Sequence, residues 1–272
     1  MAAYTPLKFY FDQRLAERLS RLIERHDSHF NSKSFIAYVA KNVEDKELKA
    51  RVDVIATALQ NHLPADYERA LSILLQILGP ENETEEGMFT NGYFLMPVAY
   101  FVEKYGHHHF HASMLALMEI TKRHTSEYAI RPYLELDTDR AIAYLQSWIT
   151  DSNPHVRRLV SEGTRPRLPW AKRIEPLQND PGYNLHLLEQ LLDDPSAYVQ
   201  KSVANHINDL TKDHPQLVIN WLETCLADRR QVNERIIKHG LRTLIKQEEN
   251  KAVQLLARVN GFVKQRKEEK SR

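Results

Sequence analysis

The sequence predicts an all-α protein that forms a right-handed curved solenoid of paired helices. Apolar residues recur at spacings of three and four along much of the chain, which is the period of an amphipathic helix. Strand patterns are nearly absent, and the Asn91-Gly92 pair has no convincing strands around it. The second half also carries a repeat of roughly 40 residues, which is typical of stacked helix pairs.

The clearest helical stripe lies between Leu48 and Leu63, where Val52, Ile55 and Leu59 share one face. Five other segments have similar stripes, namely Leu15–Ile23, Tyr67–Leu78, Met114–Ile120, Leu185–Leu192 and Val218–Leu226. Prolines at positions 64, 132, 181 and 215 mark expected helix boundaries. The acidic, turn-rich segment Gly79–Gly92 is predicted to be an exposed loop.

The repeat is anchored by Asp151, Asp194 and Asp228, which lie 43 and 34 residues apart. Each aspartate precedes two β-branched residues four positions apart, and these pairs are Val156 and Val160, Val199 and Val203, and Val232 and Ile236. The pattern predicts that each aspartate caps the inner helix of one repeat. Stacked repeats of this kind form a concave face.

Basic residues follow these anchors, and the predicted inner helices would place them on the concave face. They are Arg157, Arg158, Lys201, Arg235, Lys238 and Arg242. Residues 151–272 contain 21 Lys and Arg against 16 Asp and Glu, although the whole chain has a net charge of only +1. The carboxy-terminal half is therefore the better candidate for phosphate contacts. Solvated helix faces of a protein-binding scaffold are the alternative interpretation.

Composition and motifs exclude several classes of protein. Cys225 is the only cysteine, so no internal disulfide can form, and a reducing cytoplasm is expected. The segment Met1–Arg14 lacks the apolar run of a signal peptide or membrane span. No GxGxxG, Walker A or GxSxG motif is present, so we expect no nucleotide cofactor and no membrane partner.

Four histidines, His107, His108, His109 and His111, form a cluster that resembles a metal site. Adjacent histidines on a helix point in different directions, and no HExxH pair or nearby cysteine completes a ligand set. We therefore expect a hydrated helix start at this cluster and no bound metal.

Four longer stretches resemble the AlkC family of DNA alkylation-repair glycosylases, in the same order along the chain. They are YFLMPVAYFVEKYG (Tyr93–Gly106), ITKRHTSEYAIRPYL (Ile120–Leu134), SNPHVRRLVSEGTRPRLPWA (Ser152–Ala171) and LLDDPSAYVQKSVANHINDLTKDHP (Leu191–Pro215). The resemblance extends from about Leu7 to Gly261 and implies HEAT-like repeats. Some family members carry a further carboxy-terminal immunoglobulin-like domain, and the resemblance implies the form without it.

The resemblance implies a single glycosylase domain over residues 1–261, followed by a basic flexible tail at 262–272. The tail would attract DNA non-specifically or act only as solubilising sequence. The implied activity is hydrolysis of the N-glycosidic bond of 3-methyladenine and 3-methylcytosine in double-stranded DNA, without metal or other cofactor. We expect a monomer that acts in the cytoplasm at the nucleoid. The alternative is a catalytically silent HEAT-repeat scaffold that binds DNA or protein.

The family pattern places three catalytic carboxylates at Glu127, Glu162 and Asp209. Each also has a structural interpretation. Glu162 and Arg158 are spaced as an ordinary helix-surface pair, Glu127 could pair with Arg123 or Arg131, and Asp209 could cap a helix end. Within the matched stretches, we rank Glu162 and Glu127 above Asp209 as the group that acts on water and sugar.

The same pattern assigns Tyr128, Trp170 and Arg158 to the pocket for the damaged nucleotide. Both aromatic residues could instead fill the core between helices, as large aromatics usually do. Basic residues near Trp170 are predicted to contact phosphates, and these are Arg165, Arg167, Lys172 and Arg173.

Overall fold

A computed structural model describes residues 5–86, 90–228 and 232–259, and every regular element within these ranges is a helix. The chain divides into two compact units, Met1–Leu136 and Asp137–Arg272. The predicted tail at 262–272 lies outside the described residues. Across the described ranges, no helix is both long and apolar enough to cross a lipid bilayer.

The first unit contains seven α-helices within its described residues. They are α1 (Gln13–Ile23), α2 (Ser32–Val43), α3 (Leu48–His62), α4 (Tyr67–Gln76), α5 (Met96–Tyr105), α6 (Phe110–Thr121) and α7 (Arg131–Leu136), with short 3-10 helices at Leu7–Tyr10 and Tyr93–Leu95. Helix α2 packs between α1 and α3, while α4, α5 and α6 pack on one another. The stripe predicted for α3 is confirmed, since Val52, Ile55 and Leu59 are buried.

A polar contact set at the end of α5 joins α4, α6 and α7. The Ser113 hydroxyl donates to the Gly106 carbonyl at 3.0 Å and lies 2.8 Å from the Tyr67 hydroxyl. Tyr133 donates to the carbonyl of Val102 at 2.7 Å, and burial raises the pKa of Tyr67 to about 12. A β-carbon at Gly106 would collide with all three hydroxyls. These hydrogen bonds hold α6 and α7 in place, and they thereby position the two ends of the connection between these helices.

The second unit contains eight α-helices with described bounds and a helical segment at residues 250–259. They are α8 (Thr138–Trp148), α9 (Pro154–Gly163), α10 (Glu175–Asn179), α11 (Gly182–Glu189), α12 (Ala197–Thr211), α13 (Pro215–Ala227), α14 (Glu234–Gly240) and α15 (Arg242–Lys246). Helix α12 packs between α9 and α14 in one layer, and α11 packs between α8 and α13 in a second layer. One helix from each layer forms a pair, and these pairs are the repeat that the spacing of the aspartates predicts.

The predicted capping by the three aspartates is wrong. Helices α9, α12 and α14 are capped by Asn153, Ser196 and Asn233. Asp151 and Asp194 lie two residues ahead of those caps, and their carboxylates accept hydrogen bonds from the backbone N–H of the cap residues at 2.8 and 2.9 Å. Asp228 instead ends α13. The aspartates therefore shape the turns before the helices, because their short side chains bond the backbone two residues on.

The structure describes most of the acidic loop and all of the histidine cluster. In the segment predicted to be an exposed loop, the described residues 79–86, 90 and 91 are almost all exposed, whereas Gly92 is buried. His109 is the residue before α6 and its ring stacks on Tyr67, whereas His111 of the same cluster lies inside α6. Among the described residues, no three His, Cys, Asp or Glu side chains converge as metal ligands.

Candidate active site

Two carboxylates of the second unit are joined by one arginine. Glu162 lies in the last turn of α9 and Asp209 lies near the end of α12. Between them, Arg165 donates from Nη1 to Glu162 Oε1 at 2.7 Å and from Nε to Asp209 Oδ2 at 2.8 Å. We call Glu162, Arg165 and Asp209 the carboxylate clamp.

All three residues of the carboxylate clamp are buried, with exposed fractions of 7%, 8% and 3% for Glu162, Arg165 and Asp209. Burial acts to lower the pKa of Arg165, but the charges of Glu162 and Asp209 outweigh it and raise this pKa above its usual value. Since charges are buried only when they are paired, each member of the clamp depends on the others.

Further cations lie beside the two carboxylates. Arg158 Nη2 is 3.6 Å from Glu162 Oε1, and its guanidinium is 4.9 Å from the centre of the Tyr198 ring. Lys212 Nζ is 3.5 Å from Asp209 Oδ1. The predicted i,i+4 pair of Arg158 and Glu162 therefore exists, but Glu162 is buried and Arg165 is its nearer partner. Asp209 is not a helix cap, because its carboxylate faces Arg165.

Serine and histidine side chains complete the environment of Glu162. Ser202 of α12 donates to Glu162 Oε2 at 2.6 Å and lies 3.0 Å from the Ser161 hydroxyl. His206 Nδ1 lies 2.9 Å from the Ser161 carbonyl oxygen. Both oxygens of the Glu162 carboxylate thus have a donor, which orients the group. Our sequence interpretation did not include Ser202, although its spacing from His206 and Asp209 is a visible signal.

Trp170 is 93% exposed, so it does not fill the core. The backbone N–H of Ala171 donates to the Leu168 carbonyl at 3.2 Å, and Trp170 has a φ of 68°. With Pro169 before it, this is the arrangement of a type II turn, in which glycine normally occupies the third position. A bulky residue held there stores strain, which is common where a side chain has a function.

The first unit carries Glu127 and Tyr128 on the connection between α6 and α7. Glu127 is 6% exposed, and its Oε2 accepts a hydrogen bond from Thr125 Oγ1 at 2.8 Å. Tyr128 beside it is 40% exposed. Arg123 donates to Glu119 Oε2 at 2.9 Å and to the Gly79 carbonyl at 3.0 Å, so it is not the partner of Glu127.

Three comparisons with known proteins each found a match to this chain. A family model described as DNA alkylation repair enzyme matches residues 122–244. The protein YhaZ of Bacillus subtilis strain 168, described as uncharacterized, is 36% identical over 256 residues, which are 94% of this chain and 69% of that protein. The structure of Pseudomonas fluorescens alkylpurine DNA glycosylase AlkC, bound to DNA containing an abasic site analog, matches with a TM-score of 0.81 and 33% identity over 93% of this chain and 69% of that chain.

The chain belongs to the AlkC family of DNA alkylation repair enzymes. The structural likeness confirms the predicted all-helical fold of HEAT-like repeats. A basic concave face stays a prediction.

Several arginines predicted to contact DNA in this AlkC-family chain hold parts of the second unit together. Arg157 donates to both carboxylate oxygens of Asp194, at 2.7 and 3.1 Å, and so ties the start of α9 to the turn before α12. Arg167 donates to both oxygens of Asp213, at 3.1 and 2.5 Å. These pairs and the burial of Arg165 do not favour phosphate contacts by these side chains.

Six predicted phosphate contacts are exposed, and these are Arg167, Lys172, Arg173, Lys201, Arg235 and Lys238. Lys201 projects from α12, and Arg235 and Lys238 project from the neighbouring α14. Arg242 donates to the Asn205 side chain at 3.2 Å. Burial, Arg242 and Lys201 lower the pKa of His239, so this histidine adds little positive charge at neutral pH.

Proposed function

We propose that this protein is a monofunctional DNA glycosylase that hydrolyses the N-glycosidic bond of cationic alkylated bases and so initiates base excision repair. The substrates are 3-methyladenine and 3-methylcytosine in double-stranded DNA. The observation that carries the proposal is the carboxylate clamp, which holds two buried carboxylates in fixed orientations. Its arginine, Arg165, lies five residues before an exposed tryptophan in a strained turn. The AlkC structure bound to DNA with an abasic site analog supports it.

Hydrolysis of the N-glycosidic bond of a cationic base requires mainly carboxylates and aromatic side chains from the protein. Methylation at a ring nitrogen makes the base cationic, so the bond to the sugar is weakened and no acid is required for departure of the base. The developing oxocarbenium-like sugar is stabilised by nearby carboxylates, as in glycoside hydrolysis. One carboxylate also accepts a proton from the attacking water. Neither a metal nor another cofactor takes part in this scheme.

Glu162 is the first candidate for the carboxylate that acts on the sugar and water. Its Oε1 and Oε2 are held by Arg165 and Ser202, so the anion does not need to reorganise when charge develops. Glu127 is the second candidate, since it is buried and accepts from Thr125. Asp209 ranks third and Arg165 positions it.

The exposed aromatic side chains are suited to cationic groups. Trp170 and Tyr128 attract a cationic base or sugar through their ring faces, an interaction worth about 0.5–2 kcal/mol. Arg158 lies beside Glu162 and binds a phosphate or forms an ion pair with that carboxylate. Lys172, Lys201, Arg235 and Lys238 contact backbone phosphates, which position the duplex. The enzyme works as a monomer in the cytoplasm.

Base release from methylated duplex DNA tests the proposal. We expect purified protein to liberate 3-methyladenine and 3-methylcytosine in chromatography, with a heat-killed sample as control. EDTA should leave the rate unchanged, because carboxylates activate the water. Binding of DNA without any base release would support the catalytically silent scaffold. Inhibition by EDTA that zinc reverses would support a metal site at the histidine cluster.

Replacing Trp170 tests whether this side chain contributes to base release although its backbone conformation is strained. Trp170→Gly should leave the melting temperature unchanged or slightly higher, because glycine adopts a positive φ without strain and an exposed side chain loses little packing. Base release should fall by about tenfold through loss of cation–π attraction. Trp170→Phe is the matched control that keeps an aromatic face and most of the activity. A marked loss of stability in Trp170→Gly, or an unchanged rate, would contradict this assignment.

A further inference from the structure

An open cleft of about 690 Å³ lies in the first unit, outside the carboxylate clamp. Its walls include α1, residues 77–83, residues 91, 92, 94 and 95, and Arg123. Arg18, Arg21 and Arg25 all line it. They are spaced by three and four residues, so they lie on one side of α1 and of the turn at residues 24–26 that follows it.

These three arginines differ from Arg157 and Arg165 of the second unit in their acidic partners. Within the described part of the chain, no carboxylate lies within ion-pair distance of Arg18, Arg21 or Arg25, whereas Arg157 and Arg165 are both paired with carboxylates. Glu81 and Glu83 also line the cleft. Glu81 is 3.7 Å from Lys122 and so is already neutralised in part.

Arg18 is held in a defined orientation. Its guanidinium lies 3.7 Å from the centre of the Phe94 ring and 5.9 Å from that of Tyr93. Stacking on a ring leaves the edge donors of a guanidinium available for a planar or tetrahedral anion. The cleft therefore presents one oriented arginine beside the exposed Arg21 and Arg25.

We propose that this cleft binds backbone phosphates of the DNA strand, an inference that rests on the proposed function. Arg18 and Arg25 are seven residues apart, which is roughly 10 Å at the helical rise. That span exceeds one phosphate group and suits successive phosphates of a strand. Arg123 lines the cleft and lies on the connection that carries Glu127 and Tyr128. The bound strand therefore runs beside the proposed catalytic connection of this unit.

The test compares a double variant, Arg21→Gln with Arg25→Gln, with a matched control on the same helix, Arg14→Gln. Arg14 is exposed and does not line the cleft. Binding to a duplex with an abasic site analog is measured by fluorescence anisotropy from about 50 to 200 mM salt. The double variant should bind about tenfold more weakly, and its slope of log affinity against log salt should flatten by about 1.8, or 0.9 per lost contact. Arg14→Gln should match the unsubstituted protein.

The outcomes separate this inference from the proposed function. Unchanged affinity and slope in the double variant, in a preparation whose unsubstituted protein releases methylated bases, would overturn the cleft assignment alone. Absence of base release together with a flattened slope would overturn the glycosylase and support the cleft. Calorimetry with inorganic phosphate and a 5′-mononucleotide is the third arm. If the double variant loses mononucleotide binding and keeps its DNA affinity, the site serves a free phosphate ligand and the inference fails.

Discussion

Glu162→Gln is expected to slow single-turnover base release by on the order of 100-fold or more, roughly 3 kcal/mol in transition-state stabilisation. Glutamine keeps the size and most hydrogen-bond geometry of the side chain, but it removes the negative charge that an oxocarbenium-like sugar requires. DNA affinity should fall far less. It should even rise where the lost anion faced a phosphate. Rapid-quench measurement of base release, with anisotropy for binding, tests this separation.

Controls for Glu162→Gln come from the same chain. Glu175→Gln removes an exposed carboxylate at the start of α10 and should leave the rate unchanged. Glu127→Gln should show the same loss as Glu162→Gln, and Asp209→Asn the same or a smaller one. If all three carboxylate variants remain folded by circular dichroism and release both methylated bases at the normal rate, the site assignment is wrong, although family membership stands.

Arg165→Ala is expected to destabilise the protein by about 3–5 kcal/mol, because it leaves the buried carboxylates of Glu162 and Asp209 without their shared cation. The melting temperature should fall by roughly 10 °C for a chain of this size. Base release at a temperature where the variant is folded should also fall, because Glu162 loses its orientation. Thermal unfolding and single-turnover kinetics measure the two effects.

Arg167→Ala is the matched control for Arg165→Ala. Both arginines donate to an aspartate, but the side chain of Arg167 is 36% exposed and that of Arg165 only 10%. The partly exposed pair with Asp213 should contribute less than about 1 kcal/mol. Adding Glu162→Gln and Asp209→Asn to Arg165→Ala should restore much of the stability, as expected for coupled residues. A flattened salt slope in Arg165→Ala, without a loss of stability, would instead support the predicted phosphate contact.

Periodicity and spacing predicted the helices and the pairing of helices, since burial of an apolar stripe every three to four residues is a local requirement. They did not predict the caps. Asp151 and Asp194 are acceptable caps by residue type, but Asn153 and Ser196 occupy those positions. Which polar residue caps a helix depends on where the preceding turn ends, and an offset of two residues is not visible in composition.

The sequence by itself determined the helical class, the repeat and the residue types from which the candidate site is built. Only the tertiary structure decided their partners. Arg165 and Trp170 were predicted from the same stretch, yet one is buried between two carboxylates and the other is 93% exposed. Arg165 is 44 residues from Asp209 along the chain, and their contact exists because α9 packs against α12. An ion pair depends on distance in space, so the sequence alone could not show which arginines have acidic partners and which line the open cleft of the first unit.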